Sequence, residues 1–228
     1  MWAAIRARKD ERLLGQVPPD AAAAWRKLVL QSEDFLTAGI FERLGYLPGE
    51  LPLRLLLRAC RVNEQEAGPL AEPVIEARPW PRLSGTDEDT DLTYREPDWV
   101  WVTAKSVFVI EAKWGRGVVP GHGQLESQQR LARTKWPRLQ RFHVSIVQSG
   151  PVTYPARSRG LSLTWRELHR ALVSELAAQP LPHIRRLLLD AIDILDVRGV
   201  GLAELASLPE LEVSAELTPF VPVARPSR

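Results

Sequence analysis

The residues whose types and spacing could do chemistry are Asp98, Glu111 and Lys113. They sit in Glu96-Pro97-Asp98-Trp99-Val100-Trp101-Val102 and Val107-Phe108-Val109-Ile110-Glu111-Ala112-Lys113-Trp114. Both segments are otherwise apolar at odd and even positions, as expected of strands covered on each face. Charge in such a setting is expensive unless it is paired or metal-bound. If the segments form a hairpin through Thr103-Ala104-Lys105-Ser106, a symmetric register pairs Val102 with Val107, Val100 with Val109, and Asp98 with Glu111. Side chains alternate along a strand, so Lys113 joins Glu111 on one face, and Trp99, Trp101, Phe108 and Ile110 take the other. Opposed carboxylates repel, and a hard cation such as Mg²⁺ or Mn²⁺ would remove that conflict. Lys113 could then orient a water or stabilise negative charge on a phosphate. Two carboxylates, a lysine and a metal suit phosphodiester hydrolysis. The plain alternative is a structural ion pair between Lys113 and a carboxylate at the sheet end.

The elements that must position these groups can be read from the pattern. A helix is expected over 20–31, with Asp20 as N-cap. A second runs over 32–44, with Ser32 as cap and an apolar stripe of Phe35, Ile40, Phe41 and Leu44, ended by Gly45, Pro48 and Gly49. A third is expected over 51–61. Residues 78–91 read as a loop carrying Asp87, Asp89 and Asp91; these mimic half of a calcium loop, but Leu92 and Asp98 stand where Gly and Glu belong, so a solvated acidic loop is the expectation. Strands follow at 92–102 and 106–113, then a glycine-rich break at 115–123, a helix at 124–135, and strands at 141–148 and 161–165. Helices at 166–178 and 182–196 come last. The fold class expected is therefore α/β, a mixed central β-sheet flanked by helices. Residues 1–24 read as a lead-in, 25–200 as the domain, and 201–228 as a proline-bearing tail.

Bulk properties set outer limits. The 228 residues suffice for one sizeable core. Apolar residues at 45% and charged residues at 25% exclude global disorder. The net charge of +2 permits an anionic partner without requiring one, and arginine far outnumbers lysine, which suits forked phosphate contacts or simply reflects base composition. The single cysteine, Cys60, excludes a disulfide framework and a thiolate zinc site; its apolar setting suggests a buried structural thiol. The N-terminus turns charged at once and does not read as a signal peptide. No apolar run approaches the ~20 residues of a membrane span, so a cytoplasmic protein with no membrane partner is the expectation. His122, His143, His169 and His183 lack metal-ligand spacing.

The Pro97-Asp98 pair, followed thirteen residues later by Glu111-Ala112-Lys113, resembles the PD-(D/E)XK nuclease superfamily, which includes restriction endonucleases and Holliday-junction resolvases. The resemblance extends over about residues 25–200. It implies a restriction-endonuclease-like core, a Mg²⁺-dependent nuclease or endonuclease activity, and DNA as the partner. Members often carry a glutamate on the first core helix that extends the metal site. Glu33 is the match, with Glu42 in reserve. Several also carry a glutamine on the helix after the motif strand. Gln124 and Gln128, four apart and so on one helix face, could position a water or bond a phosphate, or could be plain surface polarity. His122 in the glycine-rich break is a weaker phosphate contact. Trp114 could stack on a base, and Arg130 and Arg133, with Lys135, Arg138 and Arg141, could follow a nucleic-acid backbone or form a solvated helix face.

Two other functions fit the same residues: a catalytically silent binding or scaffold protein that keeps the fold, and a metal-dependent hydrolase acting on nucleotides. Oligomeric state stays open, a homodimer being one arrangement. No helix-turn-helix or zinc-finger pattern supplies a separate sequence reader.

Overall fold

The computed structural model describes residues 32–84, 94–155 and 158–201. The expected lead-in, the helix over 20–31, the Asp87–Asp91 loop and the C-terminal tail lie outside those residues. Within them the chain forms helices α1 (Glu33–Gly45), α2 (Leu51–Ala59) and the short α3 (Glu64–Ala67). Strands β1 (Glu76–Pro79), β2 (Leu83–Ser84), β3 (Tyr94–Arg95), β4 (Trp99–Val102) and β5 (Ser106–Ala112) follow. Then come α4 (His122–Lys135), β6 (Gln140–Val147), β7 (Arg159–Thr164), α5 (Trp165–Ala178) and α6 (Pro182–Val197).

Five strands make one mixed sheet in the order β1-β4-β5-β6-β7, while β2 and β3 form a separate two-stranded ribbon. β1, β4 and β5 run antiparallel to their neighbours, and β5, β6 and β7 run parallel. The expected hairpin register holds: Val102 faces Val107, Val100 faces Val109 and Trp99 faces Ile110. A parallel pair cannot be closed by a tight turn, and α4 provides the crossover from β5 to β6.

The alternation of β4 and β5 divides the core into two. Trp99, Trp101, Phe108 and Ile110 face the large cluster built with α1, α2, α5 and α6. Val100, Val102, Val107 and Val109 face a small cluster closed by Leu131 and Ala132 of α4 and Leu83 of β2. Burying a large apolar side chain stabilises by about 1.5–3 kcal/mol, so the four-helix side holds most of the stabilisation. Two devices fix the helices on that side. Thr164 begins α5 with a reciprocal capping box: its Oγ1 accepts from Glu167 N at 3.2 Å and its own N–H donates to Glu167 Oε2 at 2.7 Å. Glu175 of α5, 6% exposed, is held by Arg54 at 3.5 Å and Arg58 at 3.2 Å from α2, which supplies the partners a buried charge needs.

Several boundaries differ from expectation. The strand expected over 92–102 is two strands, because the chain turns aside at Glu96-Pro97-Asp98 and β3 pairs with β2 instead. β1 was not anticipated: Glu-Ala-Arg-Pro has no apolar alternation, as befits a short, largely exposed edge strand ending in proline. Ser32 occupies the N-cap of α1 but makes no side-chain capping bond. Cys60 is half-buried against the large cluster, and burial, then the charge of Glu167, pushes its thiol up to about 12, so it is protonated at neutral pH.

Candidate active site

Asp98 lies just before β4 and Glu111 near the end of β5. Continuing the Trp99–Ile110 register by one residue sets them opposite each other. Both are buried, at 8% and 2% exposure. Asp98 Oδ2 accepts from Ala112 N at 2.7 Å, which clamps the end of β5 to the start of β4. Lys113 follows the strand and its Nζ pairs with Glu111 Oε1 at 2.8 Å. Glu33, the first residue of α1, comes in over the sheet end: its Oε1 pairs with Lys113 Nζ at 3.1 Å, and its Oε2 accepts from Trp114 N at 2.5 Å. Trp165 Nε1 donates to Lys113 O at 3.1 Å and fixes the backbone from β7's end.

The fourth side comes from α4. Gln124 and Gln128, one turn apart, donate to the two oxygens of Glu111: Gln124 Nε2 to Oε1 at 2.6 Å, and Gln128 Nε2 to Oε2 at 2.8 Å. Gln128 is fully buried, so it is not surface polarity. Among the described residues its Oε1 accepts no hydrogen bond, although an amide oxygen offers two lone pairs. Gly115, at φ 124°, lets the chain turn away directly after Lys113-Trp114, a conformation that side chains oppose.

The electrostatics follow from this crowding. Burial, and next the charge of Glu111, push the Asp98 carboxyl up to about 7, against the opposing pull of the Ala112 N–H and Lys113. For Lys113, burial opposes the charge, but Glu111, Glu33 and Asp98 outweigh it and raise its pKa above the ordinary lysine value. Near neutral pH, Asp98 is thus the group whose charge is poorly accommodated, and a cation close to it would stabilise the carboxylate.

The ion that the motif implies is Mg²⁺. Among the described residues, no group of three or more His, Cys, Asp and Glu side chains is arranged to hold a metal. Mg²⁺ does not need such a cage; it is commonly held by one or two carboxylates together with waters and substrate phosphates. Asp98 and Glu111, facing each other at the strand ends, are hard oxygen donors of that kind. The residues fit.

Glu33, expected to extend the site from the first core helix, reaches the cluster, where it meets Lys113 Nζ and Trp114 N. Other expected contacts fall elsewhere. Glu42, 41% exposed and beside Arg43, plays no part. Gln124, expected to contact nucleic acid, is committed to Glu111. His122 is 57% exposed and its nearest charged neighbour is Glu126 at 4.0 Å, outside the cluster. Trp114 lies tilted against Trp165 at 6.2 Å with the Arg198 guanidinium 5.3 Å from its ring centre, so its ring already has protein partners. Arg133 does not converge on the site. α4 carries its glutamines at the cluster and the basic residues of its last turn, Arg133 and Lys135, toward the opposite end of the sheet, where Arg133, Arg138, Arg141 and Arg159 line a separate cleft. Arg141 there serves the backbone, donating to the carbonyls of Trp136 and Leu139 at 2.9 Å each.

Sequence reasoning missed two kinds of contributor. Trp165 and Arg198 lie far along the chain from the motif, and no spacing rule links them to it. Ser145 and His143 lie across from Glu111 and Val109 on β6. Both are buried, His143 Nε2 has no hydrogen-bond partner among the described residues, and burial holds the His143 ring down to about 4. The strand pattern of 141–148 could have flagged them as polar residues facing the same layer as Glu111.

No protein-family model matches the chain, and no curated protein or solved structure is significantly similar to it. No helix among the described residues is long and apolar enough to cross a membrane.

Proposed function

We propose that the chain is a metal-dependent nuclease with a restriction-endonuclease-like core, hydrolysing phosphodiester bonds of DNA. The observation that carries this reading is the buried Asp98–Glu111 pair in matched register, with Lys113 at the same strand end held between Glu111 and Glu33. When bound, Mg²⁺ or Mn²⁺ would supply Lewis acidity at the scissile phosphate. Asp98 and Glu111 would hold it. Lys113, preorganised by two carboxylates, presents a permanent positive charge where negative charge develops on phosphate. Glu33 orients Lys113. Gln124 and Gln128 orient Glu111, and Trp165 fixes the Lys113 backbone. The preference for DNA comes from the motif resemblance.

A second reading has an observation of its own. Both oxygens of Glu111 and both of Glu33 already carry partners, as a structural ion-pair network would. That pattern suits a catalytically silent protein of the same fold. The deciding experiment incubates purified protein with linear and circular DNA, RNA and mononucleotides, with Mg²⁺ or Mn²⁺ and with EDTA. Metal-dependent DNA cleavage that Asp98→Asn abolishes is the expected result. Mononucleotide hydrolysis alone would move the assignment to a nucleotide hydrolase. No hydrolysis, with no Mn²⁺ bound by calorimetry, would leave the scaffold reading.

A further inference from the structure

Because β5, β6 and β7 run parallel, their C-terminal ends open on one side of the sheet, the usual place for ligands in sheets of this type. The residues following those three strands line a cleft of about 290 Å³, several times the ~30 Å³ share of one water molecule. Trp114 and Arg116 come from the end of β5, Gln148 and Ser149 from the end of β6, and Arg166 from the end of β7. Arg198, just past α6, closes the rim. Three guanidinium groups thus surround the space, and among the described residues no carboxylate lines it. Arg116 and Arg166 are exposed, and among the described residues neither has an ion-pair partner.

The cleft adjoins the candidate active site through shared bonds. Trp114 of the cleft gives its N–H to Glu33. Trp165, also in its wall, holds Lys113 O. Arg198 donates to the carbonyl of Ser32, the residue preceding Glu33. Forked guanidinium groups with an amide and a hydroxyl are the donor set that recognises phosphate oxygens.

We propose that this cleft is a phosphate-binding subsite, taking a phosphate of the nucleic-acid strand next to the one held at Asp98, Glu111 and Lys113. The ligand's identity as nucleic acid rests on the nuclease reading; the anion-binding character rests on the cleft alone. A phosphate at a strand terminus and one within the backbone share this chemistry.

The test uses the full chain in EDTA, so binding is read without cleavage. Fluorescence anisotropy measures short single-stranded DNA, labelled at one end and bearing a hydroxyl or a phosphate at the other, in both polarities. Arg116→Ala/Arg166→Ala should weaken binding about tenfold or more, as loss of charge-assisted hydrogen bonds predicts, and should flatten the salt dependence. Lys105→Ala/Arg186→Ala removes the same charge from the opposite end of β5 and the far half of α6, and should bind as wild type. Thermal melts of both variants check folding. A preference for one phosphorylated end that vanishes in the first variant assigns the subsite to a terminal phosphate. Equal affinity for all ends with the same loss assigns it to the backbone. Unchanged binding in Arg116→Ala/Arg166→Ala, equal losses in both double variants, or no binding by the wild type would overturn the proposal. If these binding results hold but no metal supports cleavage, the nuclease reading fails and the subsite stands.

Discussion

The proposed mechanism gives Lys113 and Asp98 different tasks, and single substitutions separate them. A lysine offers a metal no lone pair, so Lys113 can act only on water or phosphate. Lys113→Ala is expected to lower DNA cleavage ~100–1,000-fold, the usual cost of one preorganised electrostatic partner. Calorimetric Mn²⁺ affinity should hold or rise, because a nearby cation has gone. Wild-type cleavage rates in this variant would show that Lys113 only balances charge. Asp98→Asn should behave in the opposite way. Asparagine keeps an acceptor for Ala112 N but removes the carboxylate that burial and Glu111 oppose. The metal-free variant should therefore melt at or above the wild-type temperature near neutral pH, and the stabilisation that Mn²⁺ gives the wild type should be absent. A clearly destabilised metal-free variant that still shifts with Mn²⁺ would favour the structural ion-pair reading.

Elements explain why part of this architecture was legible from sequence and part was not. The β4–β5 hairpin was readable because two buried strands with charges in step admit only one symmetric register, and a slip by one residue would turn every side chain to the wrong face. Gln128 was harder. Its spacing from Gln124 fixed a shared helix face, but whether that face met Glu111 or solvent depends on where the crossover lays α4 on the sheet. Arg133 is a case of the same kind: one helix reaches both ends of the sheet, and composition does not say at which end a given residue lies. β1 gave no signal because an exposed edge strand buries too little to impose a pattern. The clearest local signal is the Thr164–Glu167 capping box of α5. Thr164→Ala should cost about 1 kcal/mol. For a chain of this size that means a fall of roughly 2–4 °C in melting temperature by circular dichroism, and an unchanged melt would show that tertiary packing alone holds the start of α5.

Across the whole molecule, two buried groups set opposing pH trends in the metal-free protein. The Asp98 carboxyl ordinarily titrates near ~4 and is held up to about 7 here, so the native state binds its proton more tightly than the unfolded chain does. Its contribution to stability is complete below the ordinary value and is lost as pH rises through about 7. His143 is held down to about 4 from an ordinary value near ~6.5. The native state refuses a proton that the unfolded chain accepts, so stability falls as pH drops below the ordinary value. Between these limits the two slopes oppose each other. Denaturant titrations across that range should give a flattened profile for the wild type, one that climbs with pH for Asp98→Asn, and one that descends for His143→Gln. Parallel profiles for all three proteins would remove both assignments.

The unequal division of the core has a kinetic consequence. Among the described residues, α4 is closed over its side of the sheet by a small valine-lined cluster, whereas four helices share the large one. Regions with few buried apolar contacts open at lower free energy than the global transition. α4 should detach as a unit while the rest of the fold stays intact, carrying Gln124 and Gln128 off Glu111 and uncovering that carboxylate. Amide hydrogens of α4 should then exchange with deuterium well before those of α2 and α6. Added Mn²⁺ should change exchange in α4 before it changes it elsewhere. The layer with the thinner described core is the one that covers Glu111, so α4 should be able to leave that carboxylate without loosening the scaffold.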